Sequence, residues 1–144
     1  MKILRVIRSL DPARGGTVEG IHQMTPHLSR LGFKTSVISL DPPDASWLHN
    51  LPFKSYGFGP VASEYGYRRG LPERILNLAQ QHDVVIIHGI WHHHAFATWR
   101  ALKGSSIRYF VYPHGMLDPW FKRTYPLKHL KKWTYWPWAD YRVL

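Results

Sequence analysis

Four histidines and a tryptophan fall within seven residues, in the run His88-Gly89-Ile90-Trp91-His92-His93-His94. Imidazoles at this density offer metal ligation, proton transfer, or hydrogen bonding to the hydroxyls and phosphates of a polar ligand. A further histidine, His114, sits in Pro113-His114-Gly115-Met116-Leu117-Asp118-Pro119-Trp120. Near the start, Asp11-Pro12-Ala13-Arg14-Gly15-Gly16 pairs two glycines ahead of a helical pattern. Glycines so placed let backbone approach an anion, with helix N–H groups aimed at it.

Each chemistry carries its own requirement. Metal ligation lacks the usual spacings: there is no H-E-x-x-H, no cysteine, and no acidic residue between 84 and 117. Adjacent helical histidines also diverge by about 100°, so a metal hydrolase would have to rest on His88, His92 and His114, and no metal site is expected. A serine hydrolase fails on context, since Ser105 and Ser106 precede a strand instead of following one. A paired-carboxylate hydrolase would have only Asp118 and the distant Asp11. The glycine pair is neither G-x-G-x-x-G nor a P-loop, which argues against kinases, ATPases and classical dinucleotide enzymes. The rim of a polar pocket remains, with Trp91 as a flat apolar wall; its structural alternative is histidines that merely finish strands.

The elements that must position these groups alternate. Residues 2–8 read as a strand, and Thr17 as an N-cap before Val18, Ile21, Met24, Leu28 and Leu31 at helical spacing, closed by Gly32. Pro26 falls inside that pattern and should kink or split the helix. Strands are expected over 34–40, 53–58, 84–88 and 106–112, and helices over 72–81, 95–102 (with a start as early as Trp91) and 126–139. Within these, Leu127, Leu130 and Trp133 should face inward. Residues 57–70 read as a long, partly mobile basic loop, 119–125 as an aromatic and basic turn, and 140–144 as the approach to another strand. The run Val84-Val85-Ile86-Ile87 is apolar on both faces, as in a buried parallel strand. The fold class is therefore α/β, a single Rossmann-like domain with an open parallel sheet and helices on both faces. His88-Gly89 and His114-Gly115 then stand at the carboxyl ends of strands, where open α/β sheets bind ligands.

Composition fits one folded domain: 144 residues with 44% hydrophobic and 19% charged side chains suffice for one core and not for two. Apolar runs are too short to cross a bilayer, and charges spaced through residues 1–8 do not make a signal peptide. The net charge of +10 favours anionic partners. Basic and aromatic residues crowd between Trp120 and Arg142. No nucleic-acid recognition motif accompanies them, and an anionic membrane surface would suit them equally well.

Three stretches together resemble the N-terminal domain of bacterial family-4 glycosyltransferases: Ser9-Leu10-Asp11-Pro12 through Gly15-Gly16, residues 83–91 ending His-Gly-Ile-Trp, and Pro113 through Trp120. The likeness runs across essentially the whole chain. It implies half of a GT-B arrangement, two Rossmann-like domains facing across a cleft, with residues 1–144 as the acceptor-side domain. Gly15 and Gly16 match the loop that approaches the donor phosphates. His114 matches a histidine that contacts the transferred sugar or supports the acceptor, and His88 lines the same edge. Trp91, His92, Asp118 and Trp120 would face the acceptor. The family implies retaining, metal-independent transfer from a nucleotide-diphosphate sugar, with no further cofactor, to a saccharide or lipid-linked acceptor in envelope polysaccharide synthesis. The setting would be cytoplasmic, at the inner face of the cell membrane. The donor-binding domain and its Glu-containing motif are not in this sequence, so it is expected to be part of a longer product and nearly inactive alone. The competing reading is a stand-alone basic module that binds membranes or polyanions.

Overall fold

The computed structural model describes every residue but Tyr125; for Phe121, Lys122, Arg123, Pro126, Lys128, His129, Lys131 and Trp133 it describes backbone only. Five strands, β1 (Lys2–Ile7), β2 (Lys34–Ser39), β3 (Lys54–Gly57), β4 (Val84–His88) and β5 (Arg108–Tyr112), form one sheet of order β3-β2-β1-β4-β5. All four pairings are parallel. The helices are α1 (Gly16–Arg30), α2 (Leu71–Ala79), α3 (His93–Leu102), α4 (Pro119–Thr124), α5 (Pro126–Tyr135) and α6 (Asp140–Val143).

Alternation along the strands divides the core in two. Leu4, Val6, Ile38, Leu40 and Val85 meet Leu71, Ile75 and Ala79 of α2 and Ala97 and Leu102 of α3. On the other face Ile7 and Val37 meet Val18 and Ile21 of α1, with Leu10, Ala45 and Leu48. Helices thus cover both faces of a Rossmann-like sheet. Burying each such Leu or Ile contributes about 1.5–3 kcal/mol. Successive strands run outward from β1 to β2 and β3, while β4 and β5 lie on its opposite side. The order reverses between β1 and β4, and a crevice opens there at the carboxyl ends of the strands.

Several local expectations are revised. Gly15, not Thr17, caps α1, with φ +82°. Pro26 lies inside one continuous α1 and does not split it; beside it, Thr25 Oγ1 donates to the Ile21 carbonyl at 2.7 Å. Gly32 ends the helix as read, in a Schellman motif: Phe33 N–H reaches Leu28 C=O and Gly32 N–H reaches Ser29 C=O, both at 3.0 Å. In the loop after β3, His93 N–H donates to Tyr65 C=O at 2.7 Å, and Arg8 donates to the Ser63 and Glu64 carbonyls.

Residues 119–124 form a helix instead of a turn, with Asp118 Oδ1 accepting from Trp120 N–H at 2.7 Å. Helix α5 stops at Tyr135, because Pro137 has no N–H to continue the ladder. Residues 140–143 are a short helix and not a strand approach. Leu127 and Leu130 point outward, 83% and 65% exposed. The inward side chains are Lys132 and Tyr135 of α5 and Trp136 just beyond it, which meet Trp91 and Tyr65, and the leucines lie roughly 150° round the helix from them at about 100° per residue. The expected inward side chain of Trp133 lies outside the described residues.

Candidate active site

Strand β4 delivers a buried His88 to its carboxyl end, and Gly89 follows with φ +83°. Gly89 N–H donates to Tyr112 C=O at 2.8 Å, so the end of β4 stays joined to β5. The chain then turns through Pro113–Met116, closed by Met116 N–H to Pro113 C=O at 3.0 Å, with φ +51° at His114 and +75° at Gly115. A left-handed non-glycine residue costs roughly 1–2 kcal/mol, and histidine is among the types that tolerate it. The turn swings His114 back over β4. His88 Nδ1 and His114 Nε2 stand 2.9 Å apart, their rings inclined by only 15°. Met116 folds over Gly89, where a Cβ would meet its Cε at 3.0 Å.

The glycine loop at the end of β1 is held from below by Asp41, whose carboxylate is buried. It accepts from Ser9 Oγ–H at 2.5 Å and from Leu10 N–H at 2.7 Å. Ser9 Oγ accepts in turn from Asp11 N–H, and Asp11 Oδ1 from Ala13 N–H at 2.9 Å. The chain thereby climbs to Gly15 and Gly16 at the N-terminus of α1, where a Cβ would meet nothing within 4 Å. Of the N–H groups at this helix start, those of Gly15 and Val18 are taken up by Pro12 C=O and Gly15 C=O, both at 3.1 Å, which leaves those of Gly16 and Thr17 for a ligand.

Between loop and corners lies a cleft of about 210 Å³, walled by Ser9, Arg14 and Thr17 on one side and by His88, Gly89, His92 and His114 on the other. Arg8, Glu64, His94 and Met116 also border it. Arg14 Nη1 meets Glu64 Oε1 at 3.1 Å, both well exposed. Burial pushes the His88 and His94 imidazoles down to about 3, with neighbouring positive groups adding to the effect. Burial also lowers His92, against the opposing pull of Glu64, and lowers His114, with Arg5 reinforcing. The rim therefore presents neutral imidazoles near pH 7, able to donate and accept hydrogen bonds.

The pattern of Glycosyltransferase Family 4 matches residues 14–144, including Gly15 and Gly16, both histidine corners and the C-terminal helices. The chain belongs to that family. No curated protein and no solved structure matched it. Family membership gives it a glycosyltransferase-type activity in general terms, and the parallel sheet with helices on both faces is of the Rossmann-like, GT-B type.

Of the residues the sequence singled out in this glycosyltransferase, His88, His92 and His114 reach the cleft, and Gly15 and Gly16 stand between two residues that line it, Arg14 and Thr17. Trp91, Asp118 and Trp120 do not line it. Trp91 (φ +70°) donates its backbone N–H to Asp140 Oδ1 at 3.0 Å and its indole N–H to Met116 C=O at 3.3 Å. Its ring lies against Trp136, so here it ties α6 and the second corner to the sheet edge. Asp118 serves as the cap of α4, and Trp120 is exposed. His94 Nε2–H donates to His88 C=O at 2.9 Å, and His93 Nδ1 accepts from Arg68 N–H at 3.2 Å. With both ring nitrogens of His88 engaged by protein partners, it has no lone pair to spare for an ion. No group of three metal-ligating side chains occurs among the described residues.

Sequence reading missed Asp41, Glu64, Arg8 and Arg5. Asp41 directly follows the strand expected over 34–40, and Glu64 lies in the loop read over 57–70. Arg5 looked like an interruption in a strand; a charge in the middle of the first buried strand was the available signal.

Proposed function

We propose that this cleft is the acceptor-side half of a retaining sugar-transfer site. A nucleotide-diphosphate sugar presents its anomeric carbon over the glycine loop, and a saccharide or lipid-linked acceptor lies along the His92 and His114 rim. A second Rossmann-like unit facing the cleft grips the nucleotide. The reading is carried by one observation: both histidine corners and the anion-ready helix start converge on the crevice where the strand order reverses. Oriented N–H groups there can stabilise charge as the glycosidic bond to the diphosphate breaks.

Membrane association suits the same reading. The chain carries a net +10 charge, and Leu127, Leu130 and Trp138 are exposed toward its C-terminal end. No described helix is long and apolar enough to cross a membrane; in this reading contact is peripheral, at the cytoplasmic leaflet. The test is label transfer: intact protein, a panel of labelled nucleotide-diphosphate sugars, and bacterial lipid extract as acceptor. Label moving into the lipid or saccharide fraction is expected. Salt-sensitive binding to anionic vesicles with no consumption of any donor would instead identify a binding module.

A further inference from the structure

Arg5 sits on the central strand, 1% exposed, without a carboxylate in contact among the described residues. Its Nη1 lies 2.9 Å from His88 Nε2, its Nη2 lies 3.3 Å from Met24 Sδ, and its Nε is buried with no partner. Burying a cation without a counter-charge costs several kcal/mol, and an apolar residue of like volume would fill the position at no such cost. Packing therefore does not explain it.

We infer that Arg5 sets the tautomers of His88 and His114 in series, so that His114 meets its ligand as an Nδ1–H donor and not as a base. Guanidinium nitrogens only donate, so His88 Nε2 must be the acceptor. A neutral imidazole with a bare Nε2 carries its proton on Nδ1, and that proton points at His114 Nε2, 2.9 Å away. His114 Nε2 accepts, which places the His114 proton on Nδ1. Among the described residues that nitrogen has no hydrogen-bond partner, and the ring borders the cleft. Protonating His114 would set two N–H groups head to head, so the series also opposes its becoming an imidazolium, in line with the lowering of both imidazoles. A neutral histidine polarised from behind is a suitable electrophile for an oxygen gaining negative charge.

That role rests on the sugar-transfer reading, whereas the tautomer assignment does not. Arg5 is a positioning residue, acting through His88. The experiment is two-bond proton–nitrogen correlation NMR of the histidine-labelled chain, without any sugar present. Expected in the wild type are protonated Nδ1 and bare Nε2 signals for both His88 and His114. Arg5→Met should shift all four nitrogens toward averaged positions, and Arg5→Lys, which keeps a donor, should restore the wild-type pattern. A wild-type His114 protonated on Nε2 would overturn the inference, even if every variant failed to fold. So would an Arg5→Met spectrum identical to the wild type. Correct tautomers in a protein that transfers no sugar would leave the Arg5 series standing and remove the transfer reading.

Discussion

Replacing Asp41 with alanine should unfasten the glycine loop and cost the domain about 3 kcal/mol. The carboxylate accepts two short hydrogen bonds, 2.5 Å from Ser9 Oγ and 2.7 Å from Leu10 N, in a site where all three residues are buried. Hydrogen bonds to a charged group contribute about 1.5–3 kcal/mol each. Alanine abolishes both and leaves the buried Leu10 N–H and Ser9 O–H without an acceptor, while the relief of no longer burying a charge offsets part of the loss. Asp41→Asn keeps an oxygen for Leu10 N–H and should lose only about half as much. Urea unfolding of Ser9→Ala, Asp41→Ala and the double variant gives the coupling directly, expected at about 1–2 kcal/mol. A loss below about 1 kcal/mol for Asp41→Ala, with no coupling, would refute the idea that this carboxylate holds the loop.

Gly15→Ala should destabilise by about 1–3 kcal/mol, because φ +82° with ψ −145° is open essentially to glycine alone; Gly16→Ala, where a Cβ has open space and no positive φ, should change stability by less than about 0.5 kcal/mol in the same urea assay. His88 and His94 are neutral in the fold down to about 3, whereas in the unfolded chain a histidine protonates near 6.5. Stability should hence be level above pH 7 and fall as pH drops through 6.5, by up to about 1.4 kcal/mol per pH unit for each of the two. Unfolding measured between pH 7 and 5 checks this, and His94→Leu should flatten the slope. Replacing Leu127, Leu130 and Trp138 together with serine should reduce binding to anionic vesicles, measured by co-sedimentation at low salt, while leaving the unfolding midpoint unchanged.

The sheet was legible because its signals are local and strong. The apolar run 84–87, the Pro-Gly punctuation and the helical spacing from Val18 to Leu31 each specify one element. The C-terminal segment was not, because Lys132 and Tyr135 of α5 turn inward with Trp136 beyond it, and two leucines are left in solvent. That choice is made by contacts with Trp91 and Tyr65, far away in sequence, and hydrophobicity alone points the other way. At the candidate site, residue type singled out His88 and His114 but could not reveal that they bond each other, which depends on the strand order and on a left-handed turn at 114. The contacts of Trp91 were hidden for a related reason: its backbone N–H goes to Asp140 and its ring to Trp136, both more than forty positions away. The partners of Asp41 and Arg5 were not legible because each lies more than thirty positions away in sequence.

The most direct test of the sugar-transfer site is the transfer rate of His114→Asn in the intact protein. Asparagine tolerates the left-handed backbone at 114 but removes the imidazole. Loss of one oriented donor at a reacting centre costs on the order of 100-fold in kcat. The account predicts that loss with an unfolding midpoint close to the wild type. Transfer at the wild-type rate by His114→Asn would contradict it.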